Sequence, residues 1–325
     1  MHPAMHPAMH PAQPREMDWP VRSRRCNGVH MSLHDDEVVS TPDLVRRLIA
    51  DQFPRWAHLP VTPGPAGGTD HRLFRLGGEL LVRMPKIAWA QDQATSDARW
   101  LPHLAPHLPL RVPAPEAVGE PGPGFPFRWS VTPWLDGASP AVGELGTGAA
   151  WQLGEFVVAL RTVSTVGGPV KGATSRGVPL ARLDDDVRAA ITASGTRIDA
   201  RAVTKAWDQV LGARPASDGC WIHGDLLPGN LLADDGRMTA VIDWGGVGVG
   251  DPAADLIPAW TQFGGEERAA FREVATDGLT DPDDAWERGR GWVLVQALIA
   301  LPYYWDRWPE FARACRQRVE AVLAD

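Results

Sequence analysis

Between His223 and Asp243 the chain reads His-Gly-Asp-Leu-Leu-Pro-Gly-Asn-Leu-Leu-Ala-Asp-Asp-Gly-Arg-Met-Thr-Ala-Val-Ile-Asp, and this stretch restricts the fold more than any other. Two short apolar runs, 231–233 and 238–242, flank Asp234-Asp235-Gly236, a turn signal that predicts a tight hairpin. Folding the chain about Gly236 sets Asn230 roughly opposite Ile242. Asn230 and Asp243 then arrive side by side at the open end. There a hard divalent cation, expected to be Mg²⁺, could bridge an amide oxygen, a carboxylate and the phosphates of a nucleotide.

The same residues keep a spacing similar to that of protein kinases, in which a catalytic Asp follows a His by two positions and a metal-binding Asn follows that Asp by five. His223, Asp225 and Asn230 fill those places. An alcohol is a poor nucleophile at neutral pH, so a carboxylate must orient it and accept its proton; Asp225 is the candidate base. Pro228 and Gly229 bend the chain between base and ligand, and His223 is expected to hold the loop by hydrogen bonding. Asp and Asn beside Gly and Pro are also ordinary turn residues. What argues for chemistry is that the triad, the hairpin and the final Asp occur together in the order the reaction needs.

The 325 residues are 44% hydrophobic and 22% charged, enough for two lobes with substantial cores. A net charge of −8 disfavours nucleic acid as a partner and suits a cationic small molecule. Cys26, Cys220 and Cys315 form no Cys-x-x-Cys pair, so neither a disulfide framework nor a zinc site is indicated and a cytoplasmic location fits. The most apolar stretch, 292–305, contains Gln296 and Pro302 and reads as a buried helix, with no membrane partner. No signal peptide is apparent. A monomer or weak homodimer is expected.

Residues 1–30, with a Met-His-Pro-Ala repeat, are expected to form a disordered leader; their prolines prevent a helix that would align the histidines. Ser40-Thr41-Pro42 and the apolar spacing after it open a helix. Strands are expected from Val61 onward, with a hairpin of 72–76 and 79–84 about Gly77-Gly78, a helix over 89–104 and a buried strand over 127–134. After Trp134 helices dominate, at about 151–163, 183–193, 201–211, 253–262, 266–275, 284–300 and 309–323. The resulting division is a nucleotide-binding lobe over 31–134 and a helical lobe over 135–325 with the catalytic and metal loops.

The chain resembles the aminoglycoside phosphotransferase family from about Ser40 to the C-terminus, through His-Gly-Asp-Leu-x-Pro-Gly-Asn, Val-Ile-Asp-Trp and Gly-Asp-Pro-Ala-x-Asp-Leu in order. The resemblance implies an α+β, two-lobed protein-kinase-like fold, an antiparallel N-terminal sheet lobe with a helix, and ATP and Mg²⁺ as cofactors. It implies that Asp225 is the base, that Asn230 and Asp243 bind Mg²⁺, and that Asp251 and Asp255 shape the metal loop and the next helix. Asp251-Pro252 independently looks like an N-cap and first-turn proline.

The N-terminal lobe departs from the family pattern. Gly67-Gly68-Thr69 precedes the hairpin where a loop would cover the phosphates, its glycines permitting close approach. The family's strand lysine is replaced by Arg83, with Lys86 as the second candidate, and its helix acid by Asp97, with Asp92 second. Thr132 and Trp134 are expected to offer backbone groups to adenine.

For a cationic acceptor, Glu266, Glu267, Asp281, Asp283, Asp284 and Asp306 are candidate carboxylates, and Trp260, Trp292, Tyr303, Tyr304 and Trp305 a candidate aromatic wall. The expected activity is ATP-dependent phosphorylation of a small-molecule hydroxyl, foremost an aminoglycoside antibiotic. Alternatives are a macrolide kinase, a metabolic choline- or sugar-type kinase, and a catalytically inactive binding module.

Overall fold

The computed structural model describes residues 37–65, 70–172 and 175–325. The expected leader and Gly67, Gly68 and Thr69 lie outside the described residues. The first helix, α1 (Pro42–Gln52), starts where its sequence predicts: the Thr41 hydroxyl accepts the Leu44 N–H at 3.2 Å and Pro42 fills the first turn. Leu44, Val45, Leu48 and Ile49 form its buried stripe.

That stripe covers a five-stranded antiparallel sheet of order β1-β2-β3-β5-β4: β1 (Val61–Pro63), β2 (His71–Leu76), β3 (Leu80–Pro85), β4 (Ala117–Gly119) and β5 (Trp129–Pro133). Gly77 turns the β2–β3 hairpin at φ +60°, a conformation glycine adopts without penalty. Alternation along β3 sorts its side chains between two faces. Val82 and Met84 enter the apolar core beneath α1, so Arg83 must point to the opposite face.

That opposite face is met by α2 (Gln91–Leu104), whose buried positions are Ala94, Asp97, Leu101 and Leu104. Leu101 and Leu104 belong to a second, larger core with the later helices, so α2 ties the Arg83 face of the sheet to that core. These helices are α3 (Thr147–Thr162), α4 (Asp184–Ser194), α5 (Ala200–Gly212), α6 (Pro258–Thr261), α7 (Gly265–Ala275), α8 (Pro282–Tyr304) and α9 (Pro309–Leu323). The helix expected over 253–262 is instead a 3₁₀ turn, Pro252–Leu256, followed by α6, because Pro258 supplies no N–H to continue it. No described helix is long and apolar enough to cross a membrane.

Two small ladders carry the loops of interest: β6 (Cys220–Ile222) pairs with β9 (Gly248–Gly250), and β7 (Leu231–Asp234) pairs with β8 (Arg237–Val241). The β7–β8 turn places Asp235 at φ 46° and Gly236 at φ +71°, the two positive φ values that a primed two-residue turn requires. Short, glycine-flanked β9 has no alternation to betray it, and the sequence does not predict it.

Candidate active site

The chain leaves β6 at His223 and enters β7 after Asn230, and every bend between is held by a hydrogen bond. Asp255 accepts the backbone N–H groups of His223 and Gly224, each at 2.7 Å. A side chain at Gly224 would meet the Gly246 carbonyl at 2.9 Å, so the close approach of this loop to the segment after Asp243 requires glycine. The His223 ring spans the site: Nδ1 accepts the Asp225 N–H at 3.1 Å and Nε2 lies 3.1 Å from the Ile242 carbonyl. That pattern assigns the proton to Nε2. Burial pushes the imidazole pKa down to about 4, which agrees with a neutral ring.

Asn230 donates Nδ2 to both the backbone oxygen (2.8 Å) and Oδ2 (3.1 Å) of Asp225. The amide oxygen of Asn230 is thereby directed away from Asp225. Burial raises the Asp225 pKa to about 6, against the pull of Arg176, whose Nη1 lies 2.9 Å from Oδ1. At neutral pH the carboxylate is therefore mostly ionised.

Across the hairpin, the Ile242 N–H donates to the Asn230 carbonyl at 2.9 Å, so these residues oppose each other as the turn geometry dictates. Asp243 then adopts φ 63°, ψ 73°, a left-handed conformation sparsely used outside glycine and common where a side chain must be aimed. Its Oδ1 accepts Gln93 Nε2 at 3.2 Å and faces Arg83 Nη2 at 3.4 Å. Burial works to raise its pKa, yet Arg83 and the Gln93 hydrogen bond prevail and hold it below the usual carboxylate range.

Arg83 Nη1 reaches Asp97 Oδ2 at 3.2 Å, so one guanidinium joins the helix acid to the hairpin acid. Asp97 is fully buried, and burial raises its pKa to about 7 despite Arg83. Asp92 is exposed on the far side of the same helix. Lys86 follows β3 and lies among Glu37, Arg72 and Asp70. Thr132 is buried opposite Leu81. The expectation for Trp134 needs correction: its N–H donates to the Glu79 carbonyl at 2.7 Å, extending the sheet, and is not offered to a base. By the alternation of an antiparallel ladder, the Thr132 backbone faces β3 in the same way.

Asp251 caps the 3₁₀ turn through the Ala253 N–H at 3.0 Å and takes a paired contact from Arg288 at 2.7 and 3.2 Å. It is structural, whereas the grip of Asp255 falls on the catalytic loop and not on the metal loop. The acceptor candidates fare differently. Asp281 and Asp284 are tied to Arg214 and Asp283 to Arg272, at 2.6–2.7 Å. Glu266 and Glu267 lie in the first turn of α7, and Asp306 is exposed beyond α8. Trp260 and Trp292 are core residues. Tyr303 and Trp305 are stacked by the chain's own Arg307 and Arg197, at 4.3 and 4.4 Å.

Four residues near this centre carry no motif. Gln93 and Arg176 contact the two carboxylates directly. Lys171 donates to the carbonyls of Gly246 and Val247 (3.3 Å to the latter), pinning the segment after Asp243. Arg318 of α9 is close enough to favour the ionised form of Asp225. Their roles depend on distant segments meeting, which no local spacing announces.

The sequence profile of the APH phosphotransferase enzyme family matches residues 61–292, and the chain belongs to that family. Viomycin phosphotransferase of Streptomyces vinaceus is 43% identical over 98 residues, covering 28% of this chain and 33% of that protein. The chain thus matches about a third of that relative's length, and 17% of a second, uncharacterised protein YcbJ of Bacillus subtilis, at 45% identity over 53 residues. Among solved structures, the GDP and kanamycin complex of APH(2")-IIia superposes with a TM-score of 0.65 at 18% identity, covering 86% of this chain and 98% of that one. The macrolide 2'-phosphotransferase MphH from Brachybacterium faecium gives 0.58 at 23% identity, covering 86% and 97%. These likenesses establish the kinase-like fold.

Proposed function

We propose that the protein is an ATP-dependent O-phosphotransferase acting on a small-molecule alcohol, with Asp225 as its base. One observation carries this reading: a buried, mostly ionised carboxylate is hydrogen-bonded to Asn230 on one arm of a hairpin whose other arm ends at Asp243. Asp225 orients the acceptor hydroxyl and takes its proton as the oxygen attacks. Phosphoryl transfer has a loose transition state, so placement of the hydroxyl matters more than the strength of the base.

The donor set suits Mg²⁺ bound together with a nucleotide. Among the described residues no cluster of three or more His, Cys, Asp or Glu could hold a metal by itself. Asn230 and Asp243 offer two hard oxygens, the number Mg²⁺ takes from protein when phosphates supply others. When bound, the ion would neutralise charge developing on the phosphates. Arg83, which also pairs with Asp97 and Asp243, would meet those phosphates with its fork of donors. For adenine, the groups turned away from β3 are the Pro133 carbonyl and the Leu135 N–H, in place of Thr132 and Trp134. Gly67, Gly68 and Thr69 remain proposed as the phosphate-covering loop, and the boundary between lobes is placed near residue 134.

The acceptor is proposed to be an antibiotic-like alcohol of the kinds the relatives' names describe: an aminoglycoside, a macrolide or viomycin. Asp225→Ala should lower turnover by about 10³-fold while MgATP still raises the melting temperature. Unchanged turnover would remove Asp225 from its role, and absence of any MgATP stabilisation would favour an inactive module.

A further inference from the structure

The two carboxylate oxygens of Asp243 meet different surroundings. Oδ1 accepts Gln93 Nε2 at 3.2 Å and Arg83 Nη2 at 3.4 Å, one donor for each of its two lone pairs. Oδ2 receives no donor from any described residue, and the side chain keeps 32% of its surface open. The donors on Oδ1 are firmly placed. Gln93 lies in the first turn of α2, one turn before Asp97 on the same face, so the helix that braces Arg83 also brings the amide. A side chain at Gly245 would stand 3.2 Å from Gln93 Oε1, so the amide rests against the backbone two residues beyond Asp243. Together with the left-handed backbone at Asp243, this contact fixes the rotation of the carboxylate.

A cation chelated by both oxygens, or a pair of cations bridged by them, would need Oδ1. It would have to displace the Gln93 amide and stand against the Arg83 guanidinium, a charge of its own sign. The neighbouring acids are committed elsewhere. Asp97 is fully buried and paired with Arg83, and Asp225 is paired with Arg176. Asn230 contributes its amide oxygen alone, since Nδ2 is spent on Asp225.

We infer that Gln93 is a positioning residue that reserves Oδ1 of Asp243, so that the chain presents one oxygen of Asp243 and one of Asn230 to a single divalent cation per bound nucleotide. The inference rests on the phosphotransferase reading and sharpens its cofactor. Mg²⁺ keeps several waters and takes few ligands from protein when phosphates supply others, so two protein oxygens suffice for one ion. The positive charge that a second ion would bring to the phosphates is supplied by Arg83, whose guanidinium stays protonated at every working pH. Gln93 touches neither substrate nor reacting atoms; it acts through Asp243, as outer partners of metal ligands do.

The test uses the full chain and Mn²⁺, which takes the same hard oxygen ligands as Mg²⁺ and can be counted by electron paramagnetic resonance. With a non-hydrolysable ATP analogue kept below the protein concentration, the nucleotide-dependent uptake should saturate at one Mn²⁺ per bound analogue, a count that needs no variant. Gln93→Leu keeps bulk against Gly245 and removes the donor. It should weaken Mn²⁺ binding in the presence of the analogue about tenfold, the usual cost of losing a metal ligand's outer partner. The melting temperature without metal or nucleotide should shift by less than about 2 °C, a change too small for a packing role. Two ions per bound analogue in the wild type would overturn the inference. So would unchanged Mn²⁺ affinity in Gln93→Leu, whatever happened to its melting temperature. Failure of the analogue to stabilise the wild type with either ion would instead bring down the phosphotransferase reading, and this inference with it.

Discussion

The catalytic loop and the charged surroundings of Asp225 are built by different means. From His223 to Asn230 the chain is held mainly by backbone groups and the neutral side chains of His223 and Asn230, with Asp255 accepting two of its N–H groups and Arg176 reaching the Gly224 carbonyl. Facing it across the carboxylate are charged side chains brought from far along the chain, Arg176 and Arg318. Short-range hydrogen bonds fix position to a few tenths of an ångström, as a base in a loose transition state requires. Long arginine side chains fix the charge beside the base, and with it how readily the carboxylate ionises. Position and charge at the base are thus set by different parts of the chain.

Removing the grip on the loop should produce the largest effect. Asp255→Ala leaves two buried N–H groups unsatisfied, each costing about 1–3 kcal/mol, and urea unfolding should show a loss of about 3 kcal/mol. A loss under about 1 kcal/mol would mean the loop is held by other means and would dissolve the contrast.

Arg83→Met tests the charged bridge to the sheet. It strips Asp97 of its opposing charge, and a buried carboxyl with a raised pKa binds its proton more tightly folded than unfolded. Stability therefore falls as pH rises from the unfolded value, near 4, through the folded value, already about 7 in the wild type. Relative to wild type, the variant should lose about 1–2 kcal/mol more at pH 8 than at pH 6 in paired denaturation curves. A pH-independent difference would show that the guanidinium acts by packing alone.

Lys171→Met addresses the segment after Asp243. Two carbonyls lose their donor, so stability should drop by about 1 kcal/mol and the KM for MgATP should rise several-fold with kcat little changed. If instead kcat alone fell, Lys171 would act on the base and not on the nucleotide side.

The smallest effect compares the two regions directly. Cys220 lies on β6 beneath the catalytic loop and Cys315 on α9 one turn from Arg318, and burial pushes their thiols up to about 12 and 11. In a Cys26→Ser background both should react with iodoacetamide far more slowly than in urea, and buried Cys315 more slowly than half-buried Cys220. Faster labelling at Cys315 would show that α9 opens more readily than β6.

The same contrast explains what the sequence discloses. Thr41-Pro42, Gly77-Gly78 and Asp235-Gly236 act within a few residues of themselves, so helix start, hairpin and turn could be read from them. Arg83 and Asp97 needed only strand alternation and helix spacing to be paired. Gln93, Lys171, Arg176 and Arg318 have no such signature, because each acts on a residue far along the chain and two come from segments with no periodicity. Trp134 misleads for a related reason: a strand's end in the sequence does not show which of its N–H groups the neighbouring strand has taken. The carboxylates proposed for the acceptor were chosen by charge, and three proved to be ion-paired to arginines that spacing alone did not connect.

The most direct test of the centre sets Asp225→Ala beside Asp243→Ala, with MgATP-dependent thermal stabilisation and turnover measured on both. If one arm of the hairpin holds the metal–nucleotide and the other side supplies the base, Asp225→Ala keeps the stabilisation and loses turnover, while Asp243→Ala loses both. Full MgATP stabilisation in Asp243→Ala, or undiminished turnover in Asp225→Ala, would contradict that division of labour.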